Sequence, residues 1–296
     1  MFAGCAAHAI LPLSHRLTAA VGMVFALSAH VADWPCAAGG SQAIATALVS
    51  YLESLGGRIE LGRRVRSLAE LPRSRVVLFD TSPIDAVAIA GDELPAGYRR
   101  KLERYRYGPA VFKVDWALHA RIPWANPACG EASTVHVGGA LAEIAASEQA
   151  MWDGGVSERP FLIVCQQSHV DASRAPAGQH TGYAYCHVPA HCDVDMTGRI
   201  EAQIERFAPG FRDVIAHRHT TSPAELARHN PNLVGGAISG GVADLRQFFA
   251  RPVFARSPYR TPNRRLFLCS ASTPPGGGVH GMCGYHAARA ALRELA

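Results

Sequence analysis

The chain has 296 residues, of which 48% are hydrophobic and 18% charged, and its formal net charge is +5. This apolar content argues against a disordered protein and is enough for a globular core in one large domain or two smaller ones. The 29 basic and 24 acidic residues are spread along the chain without a block of like charge, which argues against nucleic acid as a partner.

The cysteines and histidines form no pattern typical of a metal site. None of the eight cysteines belongs to a closely spaced pair of the zinc-ribbon or thioredoxin type, which is typical of reduced thiols in a cytoplasmic protein. His217 and His219 are only two residues apart, and His187 and His191 flank Pro189, which would break a helix that aligned them. We therefore expect no metal ion and a cytoplasmic location.

The first residues are apolar, but they do not resemble a membrane span or a secretory signal. The most apolar stretch, residues 21–32, is too short to cross a bilayer, and no basic residue precedes the first apolar run. Residues 1–8 enter helical, small-residue sequence at once. We therefore expect this sequence to be the later part of a longer or split protein.

Helices dominate the first part of the chain. Residues 4–31 predict one or two buried helices, broken at Pro12. A clean amphipathic helix follows Ser41, a plausible N-cap, and stops at Gly56-Gly57. Its apolar positions at helical spacing are Ile44, Ala47, Leu48, Tyr51, Leu52 and Leu55.

Strands and helices then alternate. Strands are predicted over residues 58–61, 64–68, 75–80, 109–118, 160–167, 181–188 and 213–221. Helices are predicted over residues 95–105, 139–150 and 197–208. The first three strands would form a small meander, and the whole pattern indicates a mixed α and β fold with an antiparallel middle.

The end of the chain carries the most informative pattern. A short apolar strand over residues 265–269 leads through a turn to Gly276-Gly277-Gly278, which open a helix over residues 279–295. Free N–H groups and the positive end of the helix dipole attract an anion or a carbonyl oxygen there, and glycines let a flat ligand lie against the backbone. An ordinary glycine-rich loop before a helix is the alternative interpretation.

The segment 266–288 resembles the carboxy-terminal flavin motif of the phytoene-desaturase and amine-oxidase-like flavoproteins. Further stretches match the phytoene-desaturase-like branch in the same order: Ala29-His30, Trp34-Pro35, Gly39-Gly40-Ser41, residues 57–65, Asp171, residues 175–178, residues 185–189, Pro209-Gly210 and Gly235-Gly236. The resemblance covers nearly the whole chain. It implies an α/β (mixed α+β) class, namely an incomplete two-domain FAD-dependent oxidoreductase fold whose substrate domain has a mixed or antiparallel sheet.

The resemblance also implies a domain division and an activity. Residues 36–90 and 262–296 would form a partial FAD-binding domain, and residues 1–35 with 91–261 a substrate-binding domain. The activity would be that of an FAD-dependent desaturase or dehydrogenase, which passes a hydride or electrons from an apolar small molecule to the flavin. The resemblance also allows for peripheral contact with a membrane.

The same resemblance assigns cofactor-binding residues. The backbone of Val65 would meet the adenine, and the flavin would lie along Ala271, Gly277, Gly278, Val279, His280, Gly281 and Met282. His280 is the only ionisable side chain at this helix start, so it is the one catalytic candidate, as a proton carrier or in a positioning role. No other catalytic residue is assigned, because flavin and substrate themselves carry out the transfer.

One departure from the family pattern is large. Family members begin with a strand, a Gly-x-Gly-x-x-Gly turn and a helix that bind the pyrophosphate of FAD, and this sequence does not begin in that way. We therefore expect the chain to retain FAD poorly, or to need a partner chain that supplies this unit. A flavin-free binding protein and one half of a two-chain enzyme are the alternative hypotheses.

Overall fold

A computed structural model describes residues 1–296 and contains seven strands in two sheets. The strands are β1 Val77–Phe79, β2 Ala110–Leu118, β3 Thr134–Val137, β4 Leu162–Cys165, β5 His180–Val188, β6 Ile215–Thr221 and β7 Leu266–Leu268. The α-helices are α1 Phe2–Ala7, α2 Thr18–Ala32, α3 Gln42–Ser54, α4 Pro83–Ala90, α5 Ala96–Glu103, α6 Pro127–Gly130, α7 Leu141–Trp152, α8 Gln167–Val170, α9 Thr197–Glu205, α10 Pro223–His229, α11 Leu245–Phe249 and α12 Met282–Leu295. None of these helices is long and apolar enough to cross a lipid bilayer.

The larger sheet has five antiparallel strands in the order β3-β4-β5-β2-β6. Its two long central strands pair from Ala110 opposite Val188 to Leu118 opposite His180. Because side chains alternate along a strand, β2 presents Phe112, Val114 and Trp116 to one face. The antiparallel middle predicted from the sequence is confirmed.

The main core lies on that face of the sheet, under helix α9. Ile200 and Ile204 of α9 are fully buried there, in a cluster of 17 buried residues. Trp116 meets the ring of Phe211 edge to face, with ring centroids 5.1 Å apart, and its indole N–H donates to the buried Glu201 carboxylate at 3.2 Å. The indole therefore satisfies its polar group without leaving the core.

The smaller sheet consists of β1 and β7, paired in parallel. Leu94 and Leu102 pack against it, in a separate cluster that includes residues of α4 and α5. Helix α4 begins at the turn predicted after residue 80: Ser82 accepts a hydrogen bond from the Asp85 N–H at 3.3 Å, and Pro83 occupies the first helical turn. A cap followed by proline is a favoured helix start.

Two of the three strands of the predicted meander are wrong. Residues 58–61 and 64–68 form no ladder, and of residues 75–80 only β1 is a strand. A strand requires a neighbouring edge for its N–H and C=O groups, and residues 58–66 have none in this structure. Ile59 and Leu61 are consequently 42% and 88% exposed.

Helix α3 forms where it was predicted, but its apolar side faces outward. No residue of α3 is buried, and the apolar residues that lie exposed on it are Ile44, Leu48, Tyr51, Leu52 and Leu55. We call these five residues the α3 apolar face. The smaller sheet, by contrast, is covered, since all three residues of β7 are buried. Exposed apolar patches are typical of interaction surfaces.

A buried polar cluster lies on the opposite face of the larger sheet, beside α1 and α7. The Nε2 atoms of His8 and His136 are 2.8 Å apart, and the Nδ1 atom of His187 is 2.8 Å from the Glu148 carboxylate. Since one imidazole must accept from the other, the first pair cannot be doubly protonated. Burial, followed by the neighbouring His136, lowers the pKa of His8 to about 3, and burial lowers the pKa of His136 to about 4.

This cluster predicts a loss of stability in mild acid. The pKa of His8 is lower in the folded chain than its ordinary value of 6.5, so the unfolded chain binds more protons below pH 6.5 and folding weakens as the pH falls. We expect the free energy of unfolding in urea to fall by about 2 kcal/mol from His8 between pH 7 and pH 5. His8→Gln should flatten this dependence, and the exposed control His30→Gln should not. Equal slopes in all three proteins would contradict the assignment.

Candidate functional site

The candidate site is the segment 269–281, which we call the glycine turn, together with the start of α12. The turn leaves the smaller sheet in a fixed direction, because the Cys269 N–H donates to the Phe79 carbonyl at 2.9 Å. Thr273 then folds back on Ser270, to whose carbonyl both its N–H and its hydroxyl donate, at 2.9 and 2.8 Å. The first half of the turn is therefore rigid and mostly buried.

A second loop, Ser239–Gly241, packs directly against the glycine turn. The hydroxyls of Ser272 and Tyr105 both donate to the Gly240 carbonyl, at 2.9 and 2.7 Å. A Cβ atom at Gly240 would lie 2.6 Å from that of Ala271. Ala271 therefore contacts the second loop, and the contact requires glycine at position 240.

Gly276 and Gly277 are needed for the same close approach. A Cβ atom at Gly277 would lie 2.8 Å from the Ser239 carbonyl oxygen, and one at Gly276 would lie 3.0 Å from the Arg251 guanidinium. Arg251 is 8% exposed and donates to the carbonyls of Ser239 and Gly241, at 3.3 and 3.2 Å. Packing of the two loops thus accounts for glycine at these positions.

The accessible part of the turn lies further along, where α12 begins. Val279 is 90% exposed, and Gly278 and His280 are also exposed. No other atom lies within 4 Å of the Cβ position at Gly281 or Gly284. A flat ligand therefore has free access to the backbone at this helix start.

The helix start also carries hydrogen-bond donors. Gly281 has a φ of +63° at the N-cap position, and the Met282 N–H donates to Nδ1 of His280 at 3.0 Å. The N–H groups of Cys283 and Gly284 have no acceptor within the chain. Together with the dipole of a 14-residue helix, these donors fit a carbonyl or anionic group. They are therefore compatible with the ring edge of a flavin.

His280 has a structural partner that defines one of its roles. Because Nδ1 accepts the Met282 N–H, the neutral imidazole carries its proton on Nε2, and protonation of Nδ1 would break the cap. This geometry favours the positioning role over that of a proton carrier at Nδ1. That His280 acts as a proton carrier through Nε2 stays a prediction.

The structure groups most of the predicted cofactor residues, with one exception. Residues 271–282 form a continuous turn and helix start, as described above. Val65 is half-buried in the unpaired segment after α3 and belongs to none of the apolar clusters of the core. Two residues that hold the turn, Tyr105 and Arg251, were not found from the sequence, because hydrogen bonds to backbone carbonyls leave no motif.

Three glycines of the glycine turn, Gly276, Gly278 and Gly281, have the spacing of a Gly-x-Gly-x-x-Gly motif. In that motif the first glycine directly follows a strand, whereas residues 269–275 separate Gly276 from β7 here. Gly276 is also buried against Arg251. The turn therefore lacks the geometry that cradles a pyrophosphate.

Comparison with known proteins gives partial matches in sequence. No protein-family model matches the chain. It is 27% identical to pyridine nucleotide-disulfide oxidoreductase domain-containing protein 2 of Rattus norvegicus, over 88% of this chain and 52% of that protein. It is 25% identical to the lycopene-forming phytoene desaturase of Pseudescherichia vulneris, over 86% of this chain and 55% of that enzyme. The chain thus spans about half the length of the curated relatives it matches.

Comparison with solved structures identifies the fold. An oxidoreductase from Methanosarcina mazei matches with a TM-score of 0.56 and 14% identity, over 87% of this chain and 55% of that one. Putrescine oxidase with bound putrescine matches with a TM-score of 0.55 and 16% identity, over 88% of this chain and 54% of that one. The mixed α/β fold class predicted from the sequence is therefore confirmed.

The loop contact predicts opposite effects for two glycine substitutions. Gly277→Ala would place a methyl group 2.8 Å from the Ser239 carbonyl, so we expect the free energy of unfolding to fall by about 1–3 kcal/mol. Gly284→Ala meets no neighbour and lies within α12, so it should raise that free energy by up to about 1 kcal/mol. Urea unfolding of both variants tests this, and equal effects would show that the loops do not constrain Gly277.

Proposed function

We propose that the chain is the part of an FAD-dependent oxidoreductase that positions the flavin ring and the substrate. The observation that carries this proposal is the open helix start, where Gly281 and Gly284 have no neighbours and the N–H groups of Cys283 and Gly284 lack acceptors. When bound, the flavin would supply the redox chemistry, accepting a hydride or electrons from the substrate.

The residues of the turn would divide this task. Gly278, Gly281 and Gly284 would let the flat ring approach the backbone, and the N–H groups of Cys283 and Gly284 would donate to its polar edge. Nδ1 of His280 would accept a hydrogen bond from the Met282 N–H and so hold the helix start in place. The buried contacts behind the turn would keep these donors fixed before the ligand arrives, which lowers the entropic cost of binding.

We further propose that FAD is retained only with a Gly-x-Gly-x-x-Gly unit that packs on the α3 apolar face. Leu48, Tyr51 and Leu55 on this face are 64%, 66% and 68% exposed, and the relatives have about twice the matched length. Such a unit would supply the pyrophosphate cradle that the glycine turn lacks. It would come from the same polypeptide or from a partner chain.

The substrate is proposed to be apolar and neutral, as the relative described as a lycopene-forming phytoene desaturase suggests. The face of the larger sheet opposite the main core is partly covered by α1 and α7, against which Tyr185 packs, and Tyr183 and Lys113 lie on the same face. The Lys113 ammonium is paired with both oxygens of Asp115, at 2.6 and 2.7 Å. This face therefore offers aromatic surface without an unpaired cation to bind a carboxylate.

The first prediction from this proposal concerns flavin. The purified chain should lose flavin absorbance on dialysis, and adding the dinucleotide-binding unit should restore it. Gly284→Leu should not lower the thermal unfolding midpoint but should abolish this flavin binding, because the side chain would fill the space proposed for the ring; Gly284→Ala, whose methyl group fills much less of that space, is the matched control. Dialysis-resistant FAD in the chain alone would refute the need for the unit. Absence of flavin with every such unit would favour a flavin-free binding protein.

A second prediction concerns substrate charge. In the flavin-loaded protein, a neutral isoprenoid hydrocarbon should reduce the flavin faster than a carboxylic acid of the same chain length, as followed by loss of flavin absorbance. Asp115→Asn, which leaves the Lys113 cation unpaired, should increase reduction by the acid about tenfold or more. Equal rates for both compounds in the unaltered protein would contradict the proposed substrate class.

A further inference from the structure

Helix α11 carries large apolar side chains on its outer side. Leu245, Phe248 and Phe249 lie three and four residues apart, which places them on one side of the helix, and they are 40%, 62% and 69% exposed. We call these three residues the α11 apolar face. The rings of Phe248 and Phe249 meet edge to face, with centroids 5.2 Å apart. A third phenylalanine, Phe254, follows in the same segment and is 87% exposed.

The backbone beneath this face is held in place by the buried Gln247. Its side-chain amide accepts the Arg106 N–H at 3.0 Å and donates to the carbonyls of Arg106 and Val242, at 2.9 and 3.2 Å. The Asp244 side chain caps the helix by accepting the Gln247 N–H at 2.9 Å. A fixed backbone therefore holds the phenylalanine rings of α11 in solvent.

Positive charge lies beside the α11 apolar face. Arg246 lines an open groove together with His15 and Arg16, which belong to the loop before α2. Both arginines are exposed, and neither side chain forms a hydrogen bond or an ion pair within the chain. The one carboxylate that lines this groove is that of Asp244, and it is paired with Arg106. The groove therefore presents two unpaired guanidinium groups and no free carboxylate.

Exposed phenylalanines beside unpaired arginines favour an anionic lipid surface as the partner. Surfaces that lie on membranes combine aromatic and leucine side chains with cations, because the rings enter the boundary of the acyl chains while the cations meet lipid phosphates. The net charge of +5 adds attraction of the same kind. A two-fold contact with a second copy would instead bring the unpaired Arg246 of both copies together, and like charges oppose such a contact.

We propose that the α11 apolar face and Arg246 bind peripherally to an anionic lipid bilayer. This surface uses none of the residues of the glycine turn, so the binding does not depend on flavin. One consequence does rest on the proposed substrate class. Arg251, two residues beyond α11, holds the loop behind the glycine turn, so membrane binding would bring the turn close to the lipid in which an apolar substrate dissolves.

Sedimentation of the purified chain with lipid vesicles tests the proposal. We expect binding to vesicles of phosphatidylcholine and phosphatidylglycerol in equal parts, and much weaker binding to phosphatidylcholine alone. The double variant Phe248→Ser, Phe249→Ser should weaken this binding about tenfold or more, and Arg246→Gln should weaken it about fivefold. The exposed controls Leu61→Ser and Arg64→Gln should leave it unchanged. If circular dichroism shows the double variant to be unfolded, Phe249→Trp replaces it, and its added indole emission should shift to shorter wavelength on the anionic vesicles.

Several results would overturn the proposal. The first is the absence of binding to the anionic vesicles, equal binding by the double variant and the unaltered chain, or no shift in the emission of Phe249→Trp. Another is self-association that the double variant abolishes, without vesicle binding, which would identify a second copy as the occupant. Loss of vesicle binding when the dinucleotide-binding unit is added would assign the surface to that unit. Because flavin is not needed in these measurements, their failure would leave the proposed oxidoreductase function unaffected.

Discussion

The close approach of two backbone loops is the constraint on which the candidate site depends. The glycine turn and the loop Ser239–Gly241 pack so closely that a Cβ atom at Gly240 or Gly277 would lie within 3 Å of the opposite loop. The loop Ser239–Gly241 lies in the segment that follows β6 of the larger sheet, and the glycine turn follows β7 of the smaller sheet. Their contact therefore fixes the start of α12 relative to both sheets, which no exposed side chain could do.

Hydrogen bonds to carbonyl groups stabilise this approach. Tyr105 and Ser272 share the Gly240 carbonyl, and the buried Arg251 donates to two further carbonyls. Together with the Ser239 hydroxyl, which donates to the Gly241 carbonyl at 3.1 Å, these donors offset the cost of burying the carbonyls. The supporting residues lie far apart in the sequence, which explains why the glycine motif alone does not reveal how the turn is held.

The elements with strong periodicity were predictable, and those that depend on a distant partner were not. Strands β2 and β5 and helices α3, α9 and α12 appeared near their predicted positions, because their side-chain patterns report local geometry. Residues 58–68 have strand-like composition but no neighbouring edge, so they stay unpaired. The four residues of β3 were missed because Thr134 and His136 are polar and only the pairing with β4 makes the segment a strand. For the site, glycine spacing located the turn, but the packing of Gly277 against Ser239 was not predicted, because the second loop is distant in the sequence.

Helix α3 has the apolar pattern of a buried helix, but the rest of the chain does not cover its apolar face. Its 13 residues are near the limit at which an isolated helix is marginal in water, so packing of its apolar face would contribute much of its stability. If the proposed dinucleotide-binding unit covers that face, it also brings the pyrophosphate cradle to the flavin site. Ordering of α3 and retention of FAD would then be thermodynamically linked, because a ligand that binds only the assembled state stabilises every contact in it. The exposed leucines of α3 and the free N–H groups of α12 would thus be parts of one binding equilibrium, although they share no direct contact.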